Sequence, residues 1–153
     1  MSEKILTVVV PSYNVEAYLE ETLASFIHPD ILEDLEVLIV NDGSVDRTEE
    51  IGKRYESEYP ETFRVITKVN GGHGSTINRG IEEAAGRYFK VVDGDDWVDT
   101  ENFRRLIKML KRLDVDVVGS NYTMVDHVTR KPAKLQEYPF EKVEYGRIYH
   151  LED

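Results

Sequence analysis

The chain has 153 residues, no cysteine and a formal net charge of −11 at pH 7, with 41% hydrophobic and 32% charged residues. This composition is typical of one folded soluble domain, and it excludes a disulfide scaffold, a thiolate nucleophile and a cysteine-ligated zinc site. The acidic balance argues against a general nucleic-acid-binding protein, because affinity for phosphate backbones comes from clustered lysine and arginine. No apolar run is long enough for a signal peptide or a membrane span, so we expect a cytoplasmic protein.

Short apolar runs and helical patterns alternate along the first three quarters of the chain. The predicted strands are Ile5–Val10, Leu35–Val40, Phe63–Val69, Tyr88–Val92 and Val115–Val118. The predicted helices lie between them, with apolar faces that begin at Leu19, Ile51, Ile77 and Phe103. This alternation predicts an α/β fold with a mostly parallel sheet and helices on both faces. Asp46 and Glu49 have the spacing of a capping box at the start of the second helix.

The alternation stops after Gly119. The segment from Tyr122 to Phe140 predicts a polar hairpin with Pro132 in or near its turn, and residues 141–153 show no clear period.

Polar clusters follow three of the predicted strands, at Pro11–Asn14, Asn41–Ser44 and Asp93–Asp96. Ligands of open parallel sheets bind outside the carboxyl ends of the strands, so we expect these clusters to face one crevice. Two residues of these clusters also have an interpretation that involves no ligand. Asp42 lies in a sequence typical of a turn, and Tyr13 is either a surface aromatic or a platform for a flat ring.

The stretch Asn70-Gly71-Gly72-His73-Gly74-Ser75 opens the third predicted helix. Exposed backbone N–H groups at the start of a helix favour anions, which makes phosphate a reasonable ligand. The stretch matches neither the dinucleotide-binding pattern nor a P-loop. We interpret His73 as a loop residue rather than a ligand or a base.

Three carboxylates occupy four positions after the fourth strand, in Asp93-Gly94-Asp95-Asp96. Crowded carboxylates raise each other's pKa unless a cation compensates them. Mg²⁺ or Mn²⁺, bridging the acids to the oxygens of a diphosphate, is the simplest such cation, and Gly94 leaves room for a ligand. The alternative is that Asp96 or Asp99 caps the next helix.

Three segments together resemble the nucleotide-sugar-binding half of a glycosyltransferase family 2 enzyme. They are VVVPSYNVEAYLEETLASF, EVLIVNDGSVDRTEEI and NGGHGSTINRGIEEAAGRYFKVVDGDDW, and the resemblance covers about residues 4–120. It implies the GT-A fold, a Rossmann-like sheet. Residues 1–153 would then form one nucleotide-sugar-binding domain, in which residues 121–153 begin an acceptor-side region that is cut short.

The resemblance also implies roles for single residues. Pro11 and Tyr13 would line the pocket for the nucleobase, and Asp42 would bond the base, usually uracil. The residues expected to contact the ribose, phosphates or sugar of the donor are Asn70, Gly72 and Asn78. Thr76-Ile77 stand where many relatives have Ala-Arg, so a donor contact from that arginine is not expected here.

The acids would form the DxD motif of the family. Asp93 would face the ribose or sugar and Asp95 the metal on the diphosphate, both being candidate metal ligands, with Asp96 as a supporting neighbour. The implied reaction is inverting transfer, in which a carboxylate deprotonates an acceptor hydroxyl that attacks the anomeric carbon. The family's base, often an Asp in a Glu-Asp pair, lies well beyond the DxD motif, and Glu152-Asp153 has these residue types but lies earlier in the chain than the family usually shows.

The sequence has three alternative interpretations of function. The chain can be a nucleotide-sugar-binding fragment that is inactive without an acceptor half, which the missing base favours. A sugar-phosphate nucleotidyltransferase and a dinucleotide oxidoreductase are disfavoured, because this sequence lacks the glycine-rich signature of either enzyme class.

A basic patch stands out in this acidic chain. Its members are Arg104, Arg105, Lys108, Lys111 and Arg112. We interpret it as a solvated helix face, and the alternative is attraction to an anionic membrane that carries a lipid-linked acceptor.

Overall fold

The computed structural model describes residues 3–126, 128–136, 144 and 146–150. The chain divides into two compact units, residues 1–113 and 114–153. The described part of the first unit contains, in chain order, β1 Leu6–Ser12, α1 Leu19–Ser25, β2 Leu35–Asn41, α2 Thr48–Glu58, β3 Phe63–Thr67, α3 His73–Glu83, β4 Tyr88–Val91 and α4 Thr100–Leu110.

The four strands of this unit form one parallel sheet in the order β3-β2-β1-β4. The central strand β1 pairs with β2 from Leu6 opposite Leu35 to Ser12 opposite Asn41. It is buried along its whole length, which explains its continuous apolar run. The expected α/β fold is confirmed. Because the strands are parallel, the loops that follow all four of them lie at one edge of the sheet.

Helices cover both faces of the sheet. Gly52 of α2 packs against Ile39 and Val65, whereas Gly80 of α3 packs against Val9. Val9 pairs with Leu38, the neighbour of Ile39, and side chains alternate between the two faces of a strand. Helices α2 and α3 therefore lie on opposite faces.

Two expectations for the first unit are wrong in detail. Strand β3 ends at Thr67 rather than Val69, whose side chain is 89% exposed. Asp46 caps the Thr48 N–H through its side chain, but no capping box forms. The carboxylate of Glu49 instead accepts hydrogen bonds from Thr67 and Asn41 at the ends of β3 and β2.

The described part of the second unit contains an antiparallel hairpin of β5 Tyr122–Val125 and β6 Pro132–Gln136, as expected. Pro132 begins β6 opposite Val125, just after the turn. The predicted strand at 115–118 is wrong, since these residues pair with no strand and Val117 is 82% exposed. The run is short and Asp116 interrupts it. Glu152 and Asp153, named above as candidates for a base, lie outside the described residues.

None of the helices in the described part of the chain combines the length and the apolar character that crossing a membrane requires.

Candidate functional site

The loop after β1 is fastened to the loop after β2 by reciprocal hydrogen bonds. The Asn14 N–H donates to Ser44 Oγ at 3.0 Å, and the Val45 N–H donates to Asn14 Oδ1 at 2.9 Å. Asn14 has a φ of 52°, a left-handed conformation that asparagine tolerates better than most residues. Two of the predicted polar clusters are thus joined through Asn14.

Asp42 connects the loop after β2 to the glycine-rich loop after β3. Its Oδ1 accepts hydrogen bonds from Lys68 Nζ at 2.7 Å and the Gly71 N–H at 2.9 Å, and its Oδ2 accepts one from the Gly72 N–H at 2.8 Å. The residue is 2% exposed. Burial by itself raises the pKa of Asp42, but the hydrogen bonds from Lys68, Gly71 and Gly72 outweigh it, and the pKa is lowered. Asp42 is therefore an ionised carboxylate that shapes the glycine-rich loop.

Lys68 is a residue of this site that sequence reasoning missed. Besides Asp42, its ammonium donates to Val69 O at 2.7 Å and Ser75 Oγ at 2.8 Å. A buried aspartate needs a cationic or hydrogen-bonding partner, and a lysine just before the glycine-rich stretch was the available signal. The pairing follows from the register of the sheet. Asn41 at the end of β2 lies opposite Thr67 at the end of β3, so Asp42 and Lys68, which follow them, are also neighbours.

Two glycines allow these loops to approach each other. Gly43 has a φ of 71°, and a Cβ at this position would lie 3.2 Å from the backbone nitrogen of Asn70. Gly72 has a φ of 83° and directly precedes α3. Both backbone conformations favour glycine over residues with a side chain.

The glycine-rich loop meets the acidic turn after β4 through His73. The His73 Nε2 atom lies 2.7 Å from Asp93 Oδ1, and both side chains are partly exposed. His73 is the first residue of α3 rather than a loop residue, and it contacts a candidate metal ligand. The roles of its two ring nitrogens depend on the tautomer.

The acidic turn is also fixed to β1. The Gly94 N–H donates to Pro11 O at 3.1 Å, and the Asp96 N–H donates to Asp93 O at 2.9 Å. A Cβ at Gly94 would lie 3.0 Å from Pro11 O and from Val15 Cγ2. A side chain at position 94 would therefore crowd β1 and the loop after it, and glycine permits this close approach.

The acidic turn disfavours the charged form of Asp96. The pKa of Asp96 is raised, first by loss of solvation and then by the charges of Asp95 and Asp93. The helix cap belongs to Asp99, whose Oδ1 accepts a hydrogen bond from the Asn102 N–H at 2.8 Å. Asp96 does not begin α4.

The donor set of this turn suits a hard divalent cation only in part. Within the described residues, no group of three or more His, Asp or Glu side chains is arranged to hold a metal ion. Asp93 and Asp95 offer carboxylate oxygens, which Mg²⁺ and Mn²⁺ prefer, and such ions commonly complete their coordination with substrate phosphates and water. The residues present therefore fit a metal that arrives with a diphosphate.

The other predicted residues surround the same sheet edge. Pro11 is buried near the end of β1, and Tyr13 follows that strand with 52% of its surface exposed. Asn70 is exposed in the glycine-rich loop, and Asn78 is exposed on α3.

Comparison with known proteins points to one family. A family model described as Glycosyl transferase family 2 matches residues 7–152. EpsJ of Bacillus subtilis, an uncharacterized glycosyltransferase, is 39% identical over 118 residues, which are 77% of this chain and 34% of EpsJ. The minor teichoic acid biosynthesis protein GgaB of the same species is 36% identical over 116 residues, which are 74% of this chain and 13% of GgaB.

A solved structure agrees with these relatives. S. aureus TarS 1-349 in complex with UDP-GlcNAc superposes with a TM-score of 0.61 at 30% identity, covering 71% of this chain and 31% of TarS 1-349. This chain thus spans about a third or less of the length of these proteins. The parallel sheet and this similarity confirm the expected GT-A fold. The chain belongs to glycosyltransferase family 2.

Proposed function

We propose that this chain binds a nucleotide-diphospho-sugar, specifically a UDP-sugar, as the donor-binding part of an inverting glycosyltransferase that acts on an acceptor hydroxyl. One observation carries the proposal. Hydrogen bonds join all four loops at the carboxyl edge of the sheet, through Asn14, Asp42, His73 and Gly94. The UDP-GlcNAc bound to TarS, at 30% identity, supports a uridine nucleotide as the donor.

The nucleobase would lie between the loops after β1 and β2. The exposed ring of Tyr13 offers a flat surface for stacking, and the buried Pro11, two residues before it, would line the same pocket. Asp42 would accept one hydrogen bond from the edge of the base.

The ribose and phosphates would lie along the start of α3. Gly72 precedes the first helical residue, and Asn70 and Asn78 are exposed on either side of it. The partial positive charge at the helix N-terminus favours the diphosphate.

Asp95 and Asp93 would hold Mg²⁺ or Mn²⁺ together with the diphosphate. When bound, such an ion stabilises the negative charge of a departing nucleoside diphosphate. The contact of His73 with Asp93 fixes the orientation of that carboxylate. Asp96 would keep the local field negative and so favour a cation.

The acceptor would be a carbohydrate or a lipid-linked saccharide, used in making a cell-envelope polysaccharide. The relative GgaB, whose name refers to minor teichoic acid biosynthesis, supports this class of acceptor. The proton of the acceptor hydroxyl would pass to a carboxylate, for which the described residues provide no assignment.

The basic patch on and just after α4 is the candidate surface for membrane contact. Arg104 and Lys108 of α4 contact Asp30, and Lys111, the residue after α4, contacts Asp34 at 2.8 Å. These pairs favour a solvated surface. The alternative, binding to an anionic membrane, predicts that the chain sediments with liposomes containing anionic lipid and that added salt releases it.

Calorimetric titration of UDP with and without Mn²⁺ tests the proposal, using the wild type, Asp95→Ala and the exposed control Glu50→Ala. We expect Mn²⁺ to tighten binding to the wild type and the control, and Asp95→Ala to lose about tenfold or more of that gain. Equal affinity in every titration would contradict the metal site. Release of UDP from UDP-GlcNAc by residues 1–153 would support a transferase, whereas tight binding without release would support the binding fragment.

A further inference from the structure

The carboxylate of Asp42 has few acceptor positions left for a ligand. An ionised carboxylate offers roughly four, two on each oxygen. Lys68 and the Gly71 N–H fill those on Oδ1, and the Gly72 N–H fills one on Oδ2. Among the described residues, these are the donors to Asp42. One acceptor position therefore remains, on Oδ2.

The number of free positions matters because nucleobases differ in the donors they present. Uracil offers one ring N–H between two carbonyl groups. Guanine offers a ring N–H and an adjacent amino group, and the pair binds a carboxylate best when each oxygen accepts one bond. A carboxylate with a single open position satisfies uracil but leaves one guanine donor unpaired, and a buried unpaired donor weakens binding.

Lys68 is held firmly in its position. Its ammonium donates to three acceptors, namely Asp42 Oδ1, Val69 O and Ser75 Oγ, at 2.7 to 2.8 Å. Moving it away to admit a ligand would break the ion pair and leave the nearly buried carboxylate of Asp42 with only the Gly71 and Gly72 N–H groups as donors.

We propose that Lys68 is a specificity-determining residue, which restricts Asp42 to one ligand hydrogen bond and so selects a nucleobase with a single edge donor over guanine. This inference rests on the proposed function, in which Asp42 faces the base. The backbone N–H groups of Gly71 and Gly72 also occupy acceptor positions of Asp42, but exchanging a side chain does not remove them. Lys68 is therefore the donor to Asp42 that a substitution can remove.

The wild type can be tested with four nucleotides by calorimetry, namely UDP, N3-methyl-UDP, GDP and inosine diphosphate. Hypoxanthine has the size of guanine but lacks its amino group, so it presents one donor on this edge. We expect UDP to bind most tightly and inosine diphosphate to bind about tenfold more tightly than GDP. N3-methyl-UDP should bind weakly because its single donor is blocked.

The variant Lys68→Met opens a second acceptor position on Asp42, now on Oδ1. We expect the preference for inosine diphosphate over GDP to fall about tenfold, toward equal affinity. Lys53→Met is the matched control, since Lys53 also donates to a carboxylate, Glu56, at 2.7 Å but does so on the exposed surface of α2. It should leave the preference unchanged, and thermal melting verifies that both variants fold.

The outcomes separate this inference from the proposed function. If UDP does not bind, the proposed function fails. If N3-methyl-UDP binds as well as UDP, Asp42 does not contact the base. If UDP binds but GDP equals or exceeds inosine diphosphate, or neither purine binds, the role of Lys68 is overturned alone. Loss of all binding in folded Lys68→Met would also overturn it, by showing that Lys68 only builds the pocket.

Discussion

His73 and Asp93 are joined across 20 residues of sequence by a 2.7 Å contact between Nε2 and Oδ1. The contact brings the start of α3 to the acidic turn after β4. Groups expected to surround a diphosphate and groups expected to hold its metal are therefore connected before any ligand arrives.

The first prediction concerns this contact. Replacing His73 with alanine leaves Asp93 without its neighbour, so the carboxylate becomes less well oriented. We expect the Mn²⁺-dependent gain in UDP affinity to fall about tenfold, with a smaller change in metal-free affinity. Calorimetry measures both quantities. His28→Ala is the matched control, because His28 accepts a hydrogen bond from the Asp30 N–H far along the chain from both loops. A similar loss in both variants would contradict the role of His73.

The second prediction concerns the packing of α3 against the sheet. A Cβ added to Gly80 would lie 2.3 Å from Val9 Cγ2, and Val9 is fully buried in β1. Gly80→Ala must therefore shift the helix or the strand, and we expect it to lower the free energy of unfolding by about 1–3 kcal/mol. Gly74→Ala, in the same helix but with no atom within 4 Å of the added Cβ, should be neutral or slightly stabilising. Urea denaturation compares the two, and equal effects would contradict this packing.

Much of the fold follows from the sequence because the sheet is buried on both faces. The runs at β1 and β2 are nearly continuous, and both strands appear where the apolar residues predict them. The strand predicted at 115–118 does not form, because a run of three valines and an aspartate fits a strand or a loop equally well and only pairing with a neighbouring strand decides between them.

The candidate site was partly predictable for a different reason. Asp42, Asp93 and Asp95 were identified by their position after strands, which depends on local sequence alone. Lys68 was missed because its pairing with Asp42 depends on the register between β2 and β3, which no local pattern reveals. The contact of His73 with Asp93 likewise requires the packing of α3 on the sheet.

The third prediction concerns the pH dependence of stability. The folded-state pKa of Asp42 is lowered, so its contribution to stability is fully present above the unfolded pKa of about 3.9 and is lost as the pH falls through the folded pKa. We expect Asp42→Asn to be less stable than the wild type at pH 7, and the difference to shrink below about pH 4. Urea midpoints between pH 7 and pH 3 measure this. Glu50→Gln removes the same charge from the exposed face of α2 and controls for net charge. A difference that stays constant with pH would contradict the ionised, hydrogen-bonded state of Asp42.

The fourth prediction separates two acids that the sequence left as alternative helix caps. Asp99→Ala removes the acceptor for the Asn102 N–H at the start of α4, and we expect a loss of about 1 kcal/mol in stability with UDP affinity unchanged. Asp96→Ala leaves that cap intact and removes a carboxylate whose pKa is raised first by loss of solvation and then by the charges of Asp95 and Asp93, so stability without ligand should not fall. Denaturation of both variants, with UDP titration in Mn²⁺, distinguishes the two residues. Destabilisation of Asp96→Ala as large as that of Asp99→Ala would show that Asp96 also supports the helix.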